Sequence, residues 1–426
     1  MRQRPSTSSG VSKWLAFIAI ALLAGCGGGG DEDHSNHFID TKGRLAIAES
    51  GATMLRLQDL DSGQSAATFT LNNPPSALYA SPGGRYVVAV QRDSDTVQFV
   101  DGGVWQEDHG DHLHDYKANP KMVGFRIEGP RPTHYDDRHG RASIFMDGRT
   151  EPSARSSYAV LFDDTSIGRS RLLAATPPLG YSVHGFAEPN GDYLVMTHRS
   201  ADAVDTLPNY LHVWQRRGDT FSKVQELQTR CDRMHGSYTR NEVTVAGCAD
   251  GAALIRRGTD GSFSSRLVPT SSRVSLIAGH SKQARMLAFG NTGTPSTTRF
   301  FDIDVENARA TPITIDGWSE GRLRRAHAFD RSGRQLFILD NAGHLHVLEF
   351  ASGAWRVKKR LDAVIANMPT AAPFPAFAVN GAKDEAYLTD PLGKALVTID
   401  TARLEIAGRS SLGYTPSAIA WTGITR

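Results

Sequence analysis

Nine residues, Glu107-Asp108-His109-Gly110-Asp111-His112-Leu113-His114-Asp115, hold three imidazoles and four carboxylates, and His134 follows twenty residues after His114. Nitrogen-rich sets of this kind suit a borderline-soft ion such as Zn²⁺, whereas Mg²⁺ and Ca²⁺ prefer oxygen shells. Three or four imidazoles, with Asp111 or Asp115 as a ligand or as the acceptor of a ring N–H, complete a tetrahedral zinc site. The sequence contains no HExxH pairing, and no redox metal is implied.

A second pattern extends the first. His134, His184, His235, His280 and His327 recur at intervals of 45 to 51 residues. The elements that carry them are short β-rich runs separated by Gly, Asn and Asp turns, with no sustained helical period. A repeating unit, for example Ala77-Leu78-Tyr79-Ala80-Ser81-Pro82-Gly83-Gly84-Arg85-Tyr86-Val87-Val88, starts near positions 77, 134, 184, 235, 280, 327, 376 and 417. That spacing fits the four-stranded blades of a β-propeller. The expected fold is all-β, with eight blades, or seven if the weak unit at 280 is something else. The last unit has one strand before the sequence ends, so the run from Arg44 to Leu71 is expected to complete its blade and close the ring.

In a propeller the loop into the first strand and the loop out of the second lie on one face. The five recurrent histidines are therefore expected around one mouth of the central channel. Val104 to Glu107 reads as the start of a fourth strand, and 108–133 as an enlarged connection that closes over that mouth. A shorter reading, with Met122 to Ile127 as the fourth strand, places His109 to His114 on the opposite face. His212, His344 and His346 lie inside strand patterns and read as packing or surface residues, His139 as a turn residue, and His198 as a neighbour on the functional face.

The beginning of the sequence reads as an export signal. Arg2, Arg4 and Lys13 flank an apolar run from Trp14 to Ala24, too short for a comfortable span. Leu23-Ala24-Gly25-Cys26 resembles a bacterial lipobox, in which Cys26 carries the lipid; an ordinary signal peptide containing a cysteine is the plainer alternative. These features divide the chain into a signal segment 1–26, a Gly/acidic/His tether 27–42 and a propeller 43–426. Cleavage takes the formal charge from +2 to −1, which does not suggest a nucleic-acid surface. With 22% charged residues and a mean hydropathy of −0.33, the remainder is no polytopic membrane protein. In an oxidising compartment the two other cysteines, Cys231 and Cys248, are expected to pair.

The run Trp105 to Tyr116, followed by Gly129-Pro130-Arg131-Pro132-Thr133-His134, resembles the AztD family of periplasmic zinc metallochaperones. The resemblance covers most of the chain after residue 40. It implies delivery of Zn²⁺ to the solute-binding protein of an ABC importer, a high-affinity zinc site at the propeller mouth, and an N-terminal His/acidic motif that assists transfer. Carried onto this sequence, the site falls on His112, His114, His134, His184, His235 and His327. The transfer motif falls on His34 and His37, with His109 as a further secondary ligand. A membrane tether at Cys26 departs from a freely diffusing periplasmic chaperone. The alternatives from other classes are a propeller enzyme, such as a lactonase or metal-dependent hydrolase, and a protein-interaction propeller.

Overall fold

The structure, a computed structural model, describes residues 35–426. The expected signal segment, Cys26, the tether glycines and His34 lie outside the described residues.

Six four-stranded sheets and one eight-stranded sheet, itself two blades joined where Ala175 pairs with Thr220, make eight blades. The inner strands are Ala77–Ala80, Pro132–Arg138, Ala187–Asn190, Ser237–Arg240, Leu276–Ala278, Arg324–Phe329, Phe377–Val379 and Pro416–Thr422. The ring closes as the repeat predicts: Pro416–Thr422 pairs antiparallel with Arg44–Glu49, and Met54–Asp59 and Ser65–Thr70 complete that blade. Each terminus thereby covers an edge the other would leave open.

The second strand of each blade is packed on both faces by neighbouring sheets, so it reads as a continuous apolar run. Tyr86–Gln91 is buried at every position. Fourth strands face solvent and alternate, as in Lys121–Glu128. The core is a series of clusters between adjacent blades, such as Val88, Phe99, Ile144, Val160 and Phe162. Cys231 and Cys248 form a disulfide with Cα atoms 5.0 Å apart, on one face of one blade, within such a cluster.

Two expectations about position are overturned. The fourth strand of the second blade is Lys121–Glu128, which pairs with Thr96–Asp101. Val104–Asp108 and Leu113–Lys117 instead pair with each other, as a hairpin inserted between the third and fourth strands and outside the blade's own sheet. The shorter reading was right, and the hairpin stands on the face opposite the first-strand starts. Its strands look like blade strands because Trp105 stacks on Tyr116 at 4.9 Å, giving an isolated ribbon the same aromatic pattern as a packed one. His280 also changes face: it follows the inner strand Leu276–Ala278 rather than opening it.

Candidate metal centre

At the mouth, the starts of three consecutive inner strands bring His134, His184 and His235 together, with their ligand atoms within 4.8 Å of one another. A β-bulge between Pro132 and His134 re-aims the first ring. His235 is placed by Gly236, whose φ of +72° suits glycine and whose Cβ, if present, would meet the Ser275 carbonyl at 2.6 Å.

The Nε2 atoms converge: His134 to His184 is 3.3 Å, and His184 to His235 is 3.2 Å. The opposite nitrogens are already engaged. His184 Nδ1 donates to Asp147 Oδ2 at 2.9 Å, and His235 Nδ1 donates to the Ser275 carbonyl at 2.9 Å. A ring whose Nδ1 holds the proton presents an Nε2 lone pair, so His184 and His235 point acceptor at acceptor. That is unfavourable for two neutral rings alone and favourable around a shared cation. With Zn–N bonds of about 2.0–2.1 Å, two ligands of a tetrahedron lie about 3.3–3.4 Å apart. The two observed separations fit this edge.

Electrostatics favour the neutral, metal-ready form. Burial, with the neighbouring His184 and His235, pushes His134 down to about 3. Burial likewise lowers His235. Asp147 is itself buried, which opposes ionisation, but hydrogen bonds from His184, Thr133 and Arg92 outweigh this and hold its carboxyl below the usual range. A carboxylate behind a histidine ligand orients the ring and raises its basicity. Asp147 and the Ser275 carbonyl were not singled out from sequence. Asp147 directly follows the second strand Arg141–Met146, which ends on the mouth face, and that placement is the signal for it.

On the other face, the hairpin turn gathers His109, His112 and His114, again with ligand atoms within 4.8 Å. Gly110 turns the chain at φ +94°, its N–H donating to Asp108 at 2.8 Å. His109 and His112 stack at 4.9 Å, and His112 Nδ1 lies 2.7 Å from Asp111. This cluster is more open than the mouth cluster, with His109 exposed. His112 and His114 therefore do not join His134, His184 and His235 in one site, because the hairpin belongs to the third-to-fourth strand connection.

His37, expected on a flexible tether, pairs with His114 through a parallel bridge, and the two rings lie 4.8 Å apart. Asp115 anchors this segment from a buried position. It accepts from Ile39 N at 2.7 Å and Gln106 Nε2 at 2.8 Å, and pairs with Arg426. His327 lies apart from both clusters: it sits within its strand, edge-on to Phe289 and 3.3 Å from Arg324, and burial pushes it down to about 3. His198 is on the mouth face but stacks on His212 at 4.1 Å and bonds Tyr181, and His346 is buried against Asp340 at 3.0 Å.

No family model matches the chain. A curated relative, the zinc chaperone AztD of Citrobacter koseri, is 24% identical over 391 residues, spanning 90% of this chain and 87% of that protein. The crystal structure of C. koseri AztD superposes with a TM-score of 0.71 at 20% identity, covering 90% of this chain and 99% of that one. An apo structure of the same protein gives 0.72 at 20% identity, covering 89% and 98%. The dihydro-heme d1 dehydrogenase NirN, at 0.56 and 15% identity, covers 90% of this chain and 76% of its own, and shares the fold alone. The similarity to C. koseri AztD spans most of both sequences, and the two chains share the same fold.

Proposed function

We propose that this chain is a zinc chaperone of the periplasm, tethered by a lipid at Cys26, that passes Zn²⁺ to the solute-binding protein of an ABC importer. The observation that carries the zinc reading is the convergence of His134, His184 and His235 at tetrahedral-edge spacing, with two of the three rings oriented through Nδ1. The name of the C. koseri relative points the same way. On this reading zinc is cargo, and the chain is not an enzyme. The mouth cluster stores the ion, and the more open His109, His112 and His114 cluster, with His37 beside it, is where an acceptor reaches a ligand. Transfer is associative: an acceptor's ligand replaces one imidazole at a time, so free zinc never forms.

The test is a zinc titration of the full chain after chelation, read against a competing chelator. Two ions per chain are expected. His134→Ala with His184→Ala should remove the tighter one, and His112→Ala with His114→Ala the weaker. If all four substitutions together leave binding unchanged, the zinc reading is wrong. Delivery is tested by mixing loaded chain with a metal-free solute-binding protein. Transfer no faster than loss to a chelator would refute direct exchange.

A further inference from the structure

Next to His235 a cavity of about 220 Å³ opens in the same mouth, lined by Arg273, Ser275, Asn291, Thr298 and Arg324 among others. This volume is below the roughly 300 Å³ of sites for drug-sized ligands, so its occupant is small. No acid among the described residues lines it. Neither arginine has a carboxylate partner within ion-pair distance among the described residues. The acid whose charge reaches Arg273, Asp205, is paired with Arg233 at 2.9 Å. Arg273 donates to the Arg233 carbonyl at 3.3 Å, while its Nε is buried without a partner among the described residues. Arg324 lies with its guanidinium carbon 5.6 Å from the centre of the Phe289 ring, and makes contacts of 3.5 Å to the Arg325 carbonyl and 3.3 Å to His327 Nδ1.

Two half-buried cations with unspent donors thus face one cavity. The remaining polar lining supports the same ligand: Thr298 Oγ1 donates to Asn291 Oδ1 at 2.6 Å, which leaves the Asn291 amide N–H groups as donors. Burial, then Arg233, lowers Arg273, and burial, then Arg325, brings Arg324 down to about 10, as expected of cations lacking a counter-charge. A planar guanidinium fork matches a planar oxyanion better than a sphere such as chloride. Loading Zn²⁺ on three neutral imidazoles next door adds two positive charges to a mouth that already holds these arginines and, as a nearby anion, Asp147 paired with Arg92.

We propose that this cavity binds a small planar oxyanion, a carboxylate or bicarbonate, on Arg273 and Arg324, and that the bound anion strengthens zinc binding at the adjacent histidine cluster. Its second half rests on the zinc reading; anion binding itself does not.

The first arm uses the metal-free, unaltered full chain. Phenylglyoxal modification is followed by peptide mass spectrometry in acetate, bicarbonate or chloride at one ionic strength. Acetate and bicarbonate should slow modification of Arg273 and Arg324 several-fold, chloride much less, and none should protect Arg403, whose side chain is 76% exposed. Equal rates in all three salts, or equal protection of Arg403, overturn the site. In the second arm, zinc affinity is measured by chelator competition in acetate against chloride. Coupled sites differ by roughly 5- to 150-fold, and a tightening of that order should vanish in Arg273→Gln with Arg324→Gln. Protection without any change in zinc affinity overturns the coupling. If His134→Ala with His184→Ala leaves the tighter zinc binding intact, the mouth cluster is not the zinc site and the coupling loses its basis, while the first arm still decides whether the anion site exists.

Discussion

Asp147→Asn isolates the contribution of the carboxylate behind the mouth cluster. Among the described residues only Oδ2 of Asp147 is engaged, by His184 at 2.9 Å, Thr133 at 2.8 Å and Arg92 at 3.1 Å, and Oδ1 has no partner. An asparagine can place its carbonyl where Oδ2 lies and its amide where Oδ1 lies, so shape and hydrogen-bond count are conserved. What disappears is the charge. A charge-assisted hydrogen bond contributes about 1.5–3 kcal/mol against about 0.5–1.5 kcal/mol for a neutral one, so His184 loses about 1.5 kcal/mol of orientation and basicity. That corresponds to roughly tenfold weaker zinc binding, the lower end of the 10- to 100-fold range for outer-shell partners of metal ligands. The assay is chelator competition near neutral pH on a background carrying His112→Ala and His114→Ala, so that only the mouth cluster reports. A folded Asp147→Asn variant that binds zinc within about twofold of its parent, ~0.4 kcal/mol, would refute the assignment of His184 as a carboxylate-oriented ligand.

Two further outcomes are expected. Burial, then the charges of His198 and Lys223, pushes His212 down to about 4, against an ordinary value near 6.5. The folded state therefore favours the neutral ring, whose contribution to stability is full above about pH 6.5 and is lost as pH falls toward 4. His212→Phe should flatten the decline in urea-denaturation midpoint between about pH 7 and 4.5, and an unchanged decline would count against this account. Asp115→Ala removes the acceptor that ties Ile39 to the hairpin. Backbone amide exchange at His37 and Ile39 should then accelerate while the blade strands stay protected; unaltered protection would show that the segment is held by something else.

Much of the fold was legible because a propeller is a local repeat. Each blade must bury both faces of its second strand, so runs such as Tyr86–Gln91 stand out at regular spacing, and the split closing blade follows from one unpaired strand after the last full unit and three before the first. The histidine register was read correctly where the inner strand starts at the repeat's usual place, as at His134, His184 and His235, and misread where the strand is short, as at His280. The hairpin was misplaced because Val104–Asp108 has the length and apolar pattern of a blade strand; only its pairing partner reveals otherwise.

Residue types and repeat spacing alone thus determined an all-β propeller, three mouth histidines and a dense second group of residues able to hold a metal. Tertiary structure decided that these are two clusters on opposite faces, because strand order within a blade, not sequence separation, sets which end a loop occupies. It alone supplied Asp147 and the Ser275 carbonyl, and excluded His327, since ring orientation depends on contacts between strands of different blades.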